Sequence, residues 1–237
     1  MTNPQASAGP RKMTIDIYSD VMCPWCIIGY GQLQKGLALL DGEIEAEIRW
    51  RPFELNPDMP IEGEEQAAHI ARKYNRTAEQ TQAVRGQMKS VAEDAGVSLE
   101  FTGQGDAPPA MMWNTFDAHK VLCWALDSAG PARQTELKLA LFTAHFNHRR
   151  TIGQRDVLLD VAEECGFDRA GAKAVLDDPE VANRVRMEQA QAHDLNITGV
   201  PAMIVEGKML IPGAQAPEVY VNALRRVAAK FPAQPAA

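Results

Sequence analysis

The 237-residue chain is poor in cysteine: it has four, too few for a disulfide-built scaffold. It also lacks a second Cys-x-x-Cys, since neither Cys123 nor Cys165 has a cysteine three residues away. A structural zinc ion takes four ligands, commonly from paired motifs, so a zinc site is not expected. The histidines follow no ligand spacing, and no His-Glu-x-x-His is present. No apolar run approaches the length of a membrane span, and residues 1–12 hold no apolar core of an export signal. Positive charge is in deficit: 24 basic against 31 acidic residues give a formal charge of -7. That argues against general nucleic-acid binding, where a basic face carries the affinity. These absences lead us to expect a cytoplasmic protein with no metal, nucleic-acid or membrane partner, in a compartment where dithiols are kept reduced.

What is present is 46% hydrophobic content, enough for a sizeable core, and one informative stretch. Met13-Thr14-Ile15-Asp16-Ile17-Tyr18 alternates like a strand, a helix pattern runs to about residue 40, and residues 44–50 alternate again. Between the first strand and the helix stands Cys23-Pro24-Trp25-Cys26. On a helix, residues three apart share a face and lie close enough to form a disulfide. Cys23 would sit at the helix N-terminus, where free N–H groups and the dipole favour an anion, so a lowered thiol pKa and the attacking role are expected there. Cys26, one turn inside, would be the resolving thiol. Pro24 suits a first turn because its missing N–H costs nothing there.

Beyond a Pro-interrupted loop at residues 51–57, residues 62–195 read as helix after helix. Thr77 to Gln80 has the form of a capping box. Gly130-Pro131 should stop one helix, and Asp178-Pro179 should start another. Residues 202–206 and 209–212 then flank Gly207-Lys208 as a hairpin, and Pro217 opens a last helix. This order predicts an α/β fold: a mixed sheet flanked by helices, formed by residues 13–61 and 196–231, with an all-helical subdomain at 62–195 inserted. Residues 1–12 and 232–237 are expected to be disordered. Gly199-Val200-Pro201 precedes the hairpin, and on residue type alone it is a strand-opening proline.

Several motifs in this order resemble the DsbA-like thioredoxin-fold superfamily, most of all its FrnE-type cytoplasmic branch. They are Ser19-Asp20 before Cys23-Pro24-Trp25-Cys26 and Gly29; Trp50-Arg51-Pro52-Phe53 with Leu55-Asn56-Pro57; Asn114-Thr115 with Ala118-His119; Gly199-Val200-Pro201; and Ile211-Pro212-Gly213-Ala214-Gln215. Together they span nearly all of residues 14–231. The resemblance implies a thioredoxin fold with a helical insertion, a cis Val200-Pro201 peptide beside the dithiol, and protein disulfide oxidoreductase or isomerase activity. Gly199, Val200 and Pro201 would then bind substrate, with His119 and Asn114 as further candidates. DsbA carries histidine where this chain has Trp25. An indole offers one donor and no charge, so a less acidic Cys23 and a less oxidising couple are expected.

Cys123 and Cys165 fall on apolar helix positions; Cys123 is expected to pack in the core, and Cys165 in the core or semi-buried. The leading expectation is thiol–disulfide exchange on a disulfide-containing protein or peptide by Cys23 and Cys26. It needs no cofactor beyond the dithiol itself, with glutathione or a thioredoxin-type system as the reductant, and the protein would be a monomer or homodimer. The alternatives are a glutathione-dependent isomerase or transferase acting on a small molecule, and a non-catalytic chaperone or binding module.

Overall fold

The structure, a computed structural model, describes residues 9–74 and 77–231. Alternation along β1 (Arg11–Ser19) buries Met13, Ile15 and Ile17 on one face. The strand begins two residues before the expected start. Arg11 pairs with Ile44, and its guanidinium donates to the carbonyls of Ala228 and Phe231. Residues 11–12 are therefore strand, which corrects the expected N-terminal boundary. The expectations for residues 1–8 and 232–237 lie outside the described residues.

A crossover through α1 (Pro24–Ala38) makes β2 (Ile44–Pro52) parallel to β1. Late in the chain, β5 (Ala202–Val205) pairs antiparallel with β1, and β6 (Met209–Pro212) pairs antiparallel with β5. The sheet order is β2-β1-β5-β6. Its hairpin turns through Glu206 (φ 53°) and Gly207 (φ 62°), with Lys208 N–H donating to the Val205 carbonyl at 2.8 Å. Two consecutive positive φ angles match the twist of an antiparallel pair, which is why glycine stands in this turn. The last helix, α8 (Pro217–Lys230), packs beside α1 at Gly36, where a Cβ would lie 3.0 Å from the Pro217 carbonyl oxygen. Tyr220, Leu224 and Val227 of α8 share one core with Met13, Ile15 and Leu33.

Between β2 and β5 the described regular elements are helices apart from β3 (Glu64–Glu65) and β4 (Met111–Met112), a pair of two-residue strands too short to leave a sequence pattern. The helices are α2 (Gln66–Tyr74), α3 (Ala78–Asp94), α4 (Phe116–Phe146), α5 (Arg155–Glu164), α6 (Arg169–Asp177) and α7 (Pro179–Asp194). The capping box is formed, with Thr77 N–H to Gln80 Oε1 at 3.0 Å and Gln80 N–H to Thr77 Oγ1 at 3.3 Å. α4 breaks at Gly130, where φ is 83°. Gln134 Nε2 donates to the Leu122 carbonyl at 3.2 Å. Twelve residues of straight helix would put those groups about 18 Å apart, so the two halves fold back on each other. Val121, Leu122, Leu137, Leu141, Leu158 and Val161 form this insertion's own core.

The insertion docks on the sheet through a buried amide. Gln134 Oε1 accepts from Trp50 N–H at 2.9 Å, and its Nε2 donates to the Trp50 carbonyl at 2.9 Å. β2 is an edge strand, and Gln134 satisfies the groups a further strand would have taken. This is the expected mixed sheet with a helical insertion. Among the described residues no helix is long and apolar enough to cross a membrane.

Candidate active site

Where β1 ends, Ser19 and Asp20 are fully buried. The Asp20 carboxylate accepts from Met22 N–H at 3.3 Å and Leu55 N–H at 2.8 Å, tying the turn to the segment after β2. Cys23 is the N-cap of α1, with extended backbone, and Pro24 takes the first turn. Cys26 N–H donates to the Cys23 carbonyl at 3.0 Å. Both thiols are free and buried, with 3% exposure at Cys23 and none at Cys26, whereas Trp25 is 37% exposed.

The Val200–Pro201 peptide is cis, and Cys23 Sγ lies 3.6 Å from the Val200 carbonyl oxygen as a donor. α1 can approach this loop because residue 29 is glycine: a Cβ there would lie 3.0 Å from Pro201 Cγ and 3.4 Å from Ala214 Cα. Gly199 is exposed and Val200 half-buried, beside the buried Pro201. Cys23, Cys26, Val200 and Pro201, far apart in sequence, therefore meet at one place.

The electrostatics come from below. Lys138, on the second half of α4, is completely buried; its ammonium lies 3.4 Å from the Ser19 carbonyl and 5.3 Å and 5.0 Å from the Trp50 and Phe142 rings. Burial lowers its pKa to about 8, against the charges of Cys26, Asp20 and Cys23, which favour the ammonium. Burial likewise raises Asp20. Cys23 is pushed well above the ordinary thiol range, chiefly by its hydrogen bond to Cys26, then by burial and by the charges of Cys26 and Asp20. For Cys26 burial is the largest influence and opposes the thiolate. The Cys23 hydrogen bond, the charge of Lys138, and bonds from the Ser19 side chain and Asp20 backbone together outweigh it, so Cys26 is lowered. Buried and hydrogen-bonded to each other, the two thiols titrate as a pair, with Cys23 raised and Cys26 lowered, where a lowered Cys23 was expected.

Two further candidates, His119 and Asn114, make internal hydrogen bonds. His119 is 2% exposed and its Nε2 lies 3.1 Å from the Phe53 carbonyl. Burial holds its pKa well below the usual range, so the ring is neutral. Because a carbonyl only accepts, Nε2 carries the proton. Asn114 uses both side-chain atoms internally: Nδ2 donates to the Met59 carbonyl at 3.0 Å, and Oδ1 accepts from Phe116 N–H at 3.0 Å. Both tie the loop after β2 to the start of α4, with His119 buried and Asn114 half-buried. Cys123 is 4% exposed and burial pushes its thiol up to about 12; Cys165 is half-buried at the end of α5 and also raised by burial.

Lys138 and Asp20 carry the site's buried charges, and no motif pointed to Lys138. The one available signal was a lysine at helical spacing between Gln134 and Phe142, on a face otherwise carrying Leu137 and Leu141.

Comparison with known proteins agrees with this geometry. The chain is 28% identical over 212 residues to the uncharacterized protein YwbO of Bacillus subtilis (strain 168), covering 89% of this chain and 94% of that one. The crystal structure of a probable DsbA oxidoreductase, SCO1869 from Streptomyces coelicolor, superposes with a TM-score of 0.79 at 28% identity, covering 95% of this chain and 93% of that one. The cytosolic disulfide reductase DsbM from Pseudomonas aeruginosa, solved with GSH, shares the fold: TM-score 0.57, 16% identity, covering 90% of this chain and 98% of that one. The DSBA-like thioredoxin domain model matches residues 14–225, and the chain belongs to that family.

Proposed function

We propose that the protein is a thiol–disulfide oxidoreductase that reduces small or protein disulfides through Cys23 and Cys26. The observation that carries this reading is the juxtaposition of Cys23 Sγ, 3.6 Å from the Val200 carbonyl, with Cys26 one turn behind it. Val200 offers backbone groups to an extended peptide lying beside Cys23.

The two thiols share one dissociable proton between them, and moving it from Cys23 to Cys26 arms Cys23. The Cys23 thiolate attacks one sulfur of the substrate disulfide, the S–S bond breaks, and one substrate thiolate leaves. Cys26 then attacks Cys23 Sγ, assisted by the charge of Lys138, and releases the second thiolate. Two electrons pass to the substrate, and the Cys23–Cys26 disulfide remains. A thiol reductant such as glutathione restores the dithiol. The direction is reductive because Trp25 adds no charge to stabilise a Cys23 thiolate, and a couple whose reduced form is less stabilised is less oxidising. A reducing, cytoplasmic setting fits that direction, as does the name of the DsbM neighbour.

The test is turnover of a disulfide with glutathione as reductant. Cys23→Ser is expected to abolish turnover, and Cys26→Ser to trap a mixed disulfide on Cys23. A Cys23→Ser variant with the wild-type rate would sink the assignment. Small-molecule turnover that survives Cys26→Ser would move it to a glutathione-dependent isomerase or transferase.

A further inference from the structure

Beside the dithiol runs a groove of about 460 Å³ between α3, the end of α4 and the first turn of α1, with Pro24 in its wall. Its apolar side is made by Met88, Leu99 and Phe146. Its polar side carries Arg85 and Arg149. Neither guanidinium has an acidic partner among the described residues. The two nearby acids, Glu93 and Glu100, both pair with Lys89. Arg149 Nε is buried and has no hydrogen-bond partner. Arg149 also takes a left-handed backbone, φ 53°, which side-chain-bearing residues rarely adopt outside turns and ligand clamps. Burial, and then the charge of Arg85, lower its pKa.

Two unpaired guanidinium groups facing one concavity form a fork for a carboxylate, which arginine binds through paired N–H donors. The apolar wall would take the aliphatic part of the same ligand. A volume of this size suits a short peptide rather than a protein segment. Pro24, in the groove wall, is the residue next to Cys23, so a ligand seated there lies near the dithiol.

We propose that this groove is a carboxylate-binding subsite through which Arg85 and Arg149 select small acidic peptide disulfides for the dithiol. It rests on the exchange reaction proposed above and adds the substrate class. The charge preference resides in α3 and the end of α4, while the chemistry resides in α1.

Two measurements test it. In the first, S-methylglutathione, which cannot exchange, is titrated calorimetrically into the wild type and into Arg85→Gln/Arg149→Gln. Binding that weakens about tenfold or more is expected, the loss typical of charge-assisted contacts. No binding, or binding indifferent to the substitutions, overturns the subsite. In the second, kcat/KM for glutathione disulfide is divided by kcat/KM for the uncharged bis(2-hydroxyethyl) disulfide. The ratio is expected to fall about tenfold or more in the double variant, mainly through KM, and to fall in the wild type as salt is added. An unchanged ratio, with both disulfides turned over, also overturns the subsite. If neither disulfide is turned over, the exchange reaction fails, and the calorimetric result still decides the groove. Should the double variant not fold, Arg85→Gln alone, on an exposed helix face, must shift both readouts in the same direction.

Discussion

Lys138 has no contact with water, yet its ammonium stands among Ser19, Trp50 and Phe142 beneath the dithiol. Its charge favours a Cys26 thiolate. Replacing it with methionine keeps the bulk and removes the charge. Lys138→Met is expected to raise the Cys26 pKa by about one unit or more, the scale of losing an adjacent opposite charge. The second step should then slow about tenfold near neutral pH, and mixed disulfide should accumulate in quenched-flow trapping. Unchanged partitioning would remove Lys138 from the mechanism. The coupling of the thiols has its own consequence. Because the hydrogen bond to Cys26 is the largest cause of the raised Cys23 pKa, Cys26→Ser should bring the Cys23 pKa down. An alkylation-rate profile against pH reads this directly. His145 gives a stability signal. It is buried with Nε2 unpartnered, and burial lowers its pKa from the ordinary 6.5 to about 3. Between those values the unfolded chain binds a proton that the folded one does not. Stability should therefore fall as pH drops through that window, by up to about 1.4 kcal/mol per unit. His145→Leu should flatten that part of the urea-midpoint profile, and an unaltered slope would show that another group titrates there.

At the scale of elements, α1 is held by glycines placed where other backbones come close. At Gly31 a Cβ would lie 2.7 Å from the Ala95 carbonyl oxygen, the C-cap of α3. That atom is backbone and cannot swing aside. Gly31→Ala gains helix propensity but forces α3 outward, so a net loss of about 1–3 kcal/mol in chemical denaturation is expected. A neutral or stabilising result would mean that α3 moves freely. The elements also show what could be read in advance. β1, α1, β2 and the hairpin were legible because alternation and turn residues reported them. The β3–β4 pair was not, since two residues carry no period. The Gly130-Pro131 break was legible as an interruption, but the fold-back it allows depends on Gln134 reaching Leu122.

Across the molecule, the sheet core and the insertion core are joined at Trp50, whose backbone pairs with Gln134 and whose indole N–H donates to Thr135 Oγ1 at 3.0 Å. Gln134→Leu leaves a buried N–H and a buried carbonyl unpaired. A loss of about 2–4 kcal/mol is expected, since each orphaned group costs about 1–3 kcal/mol. It should appear as a lower denaturant midpoint and, because Lys138 lies one turn further along α4, as altered dithiol pKa values. A loss of stability with unaltered thiol titration would separate docking from electrostatics.

By itself the sequence determined the dithiol, its place at the mouth of a helix, the mixed sheet and the helical block. These rest on local spacing: thiols three positions apart, alternation in strands, and capping and breaking residues. Only the tertiary structure decided the electrostatic surroundings of the two thiols. These depend on Lys138, 112 residues beyond Cys26 along the chain, and on Asp20, both taken out of water by packing. It likewise showed the internal hydrogen bonds of His119 and Asn114, which residue type alone could not. A side chain's type shows what it can bond, whereas burial and the partners that folding brings to it decide what it does bond.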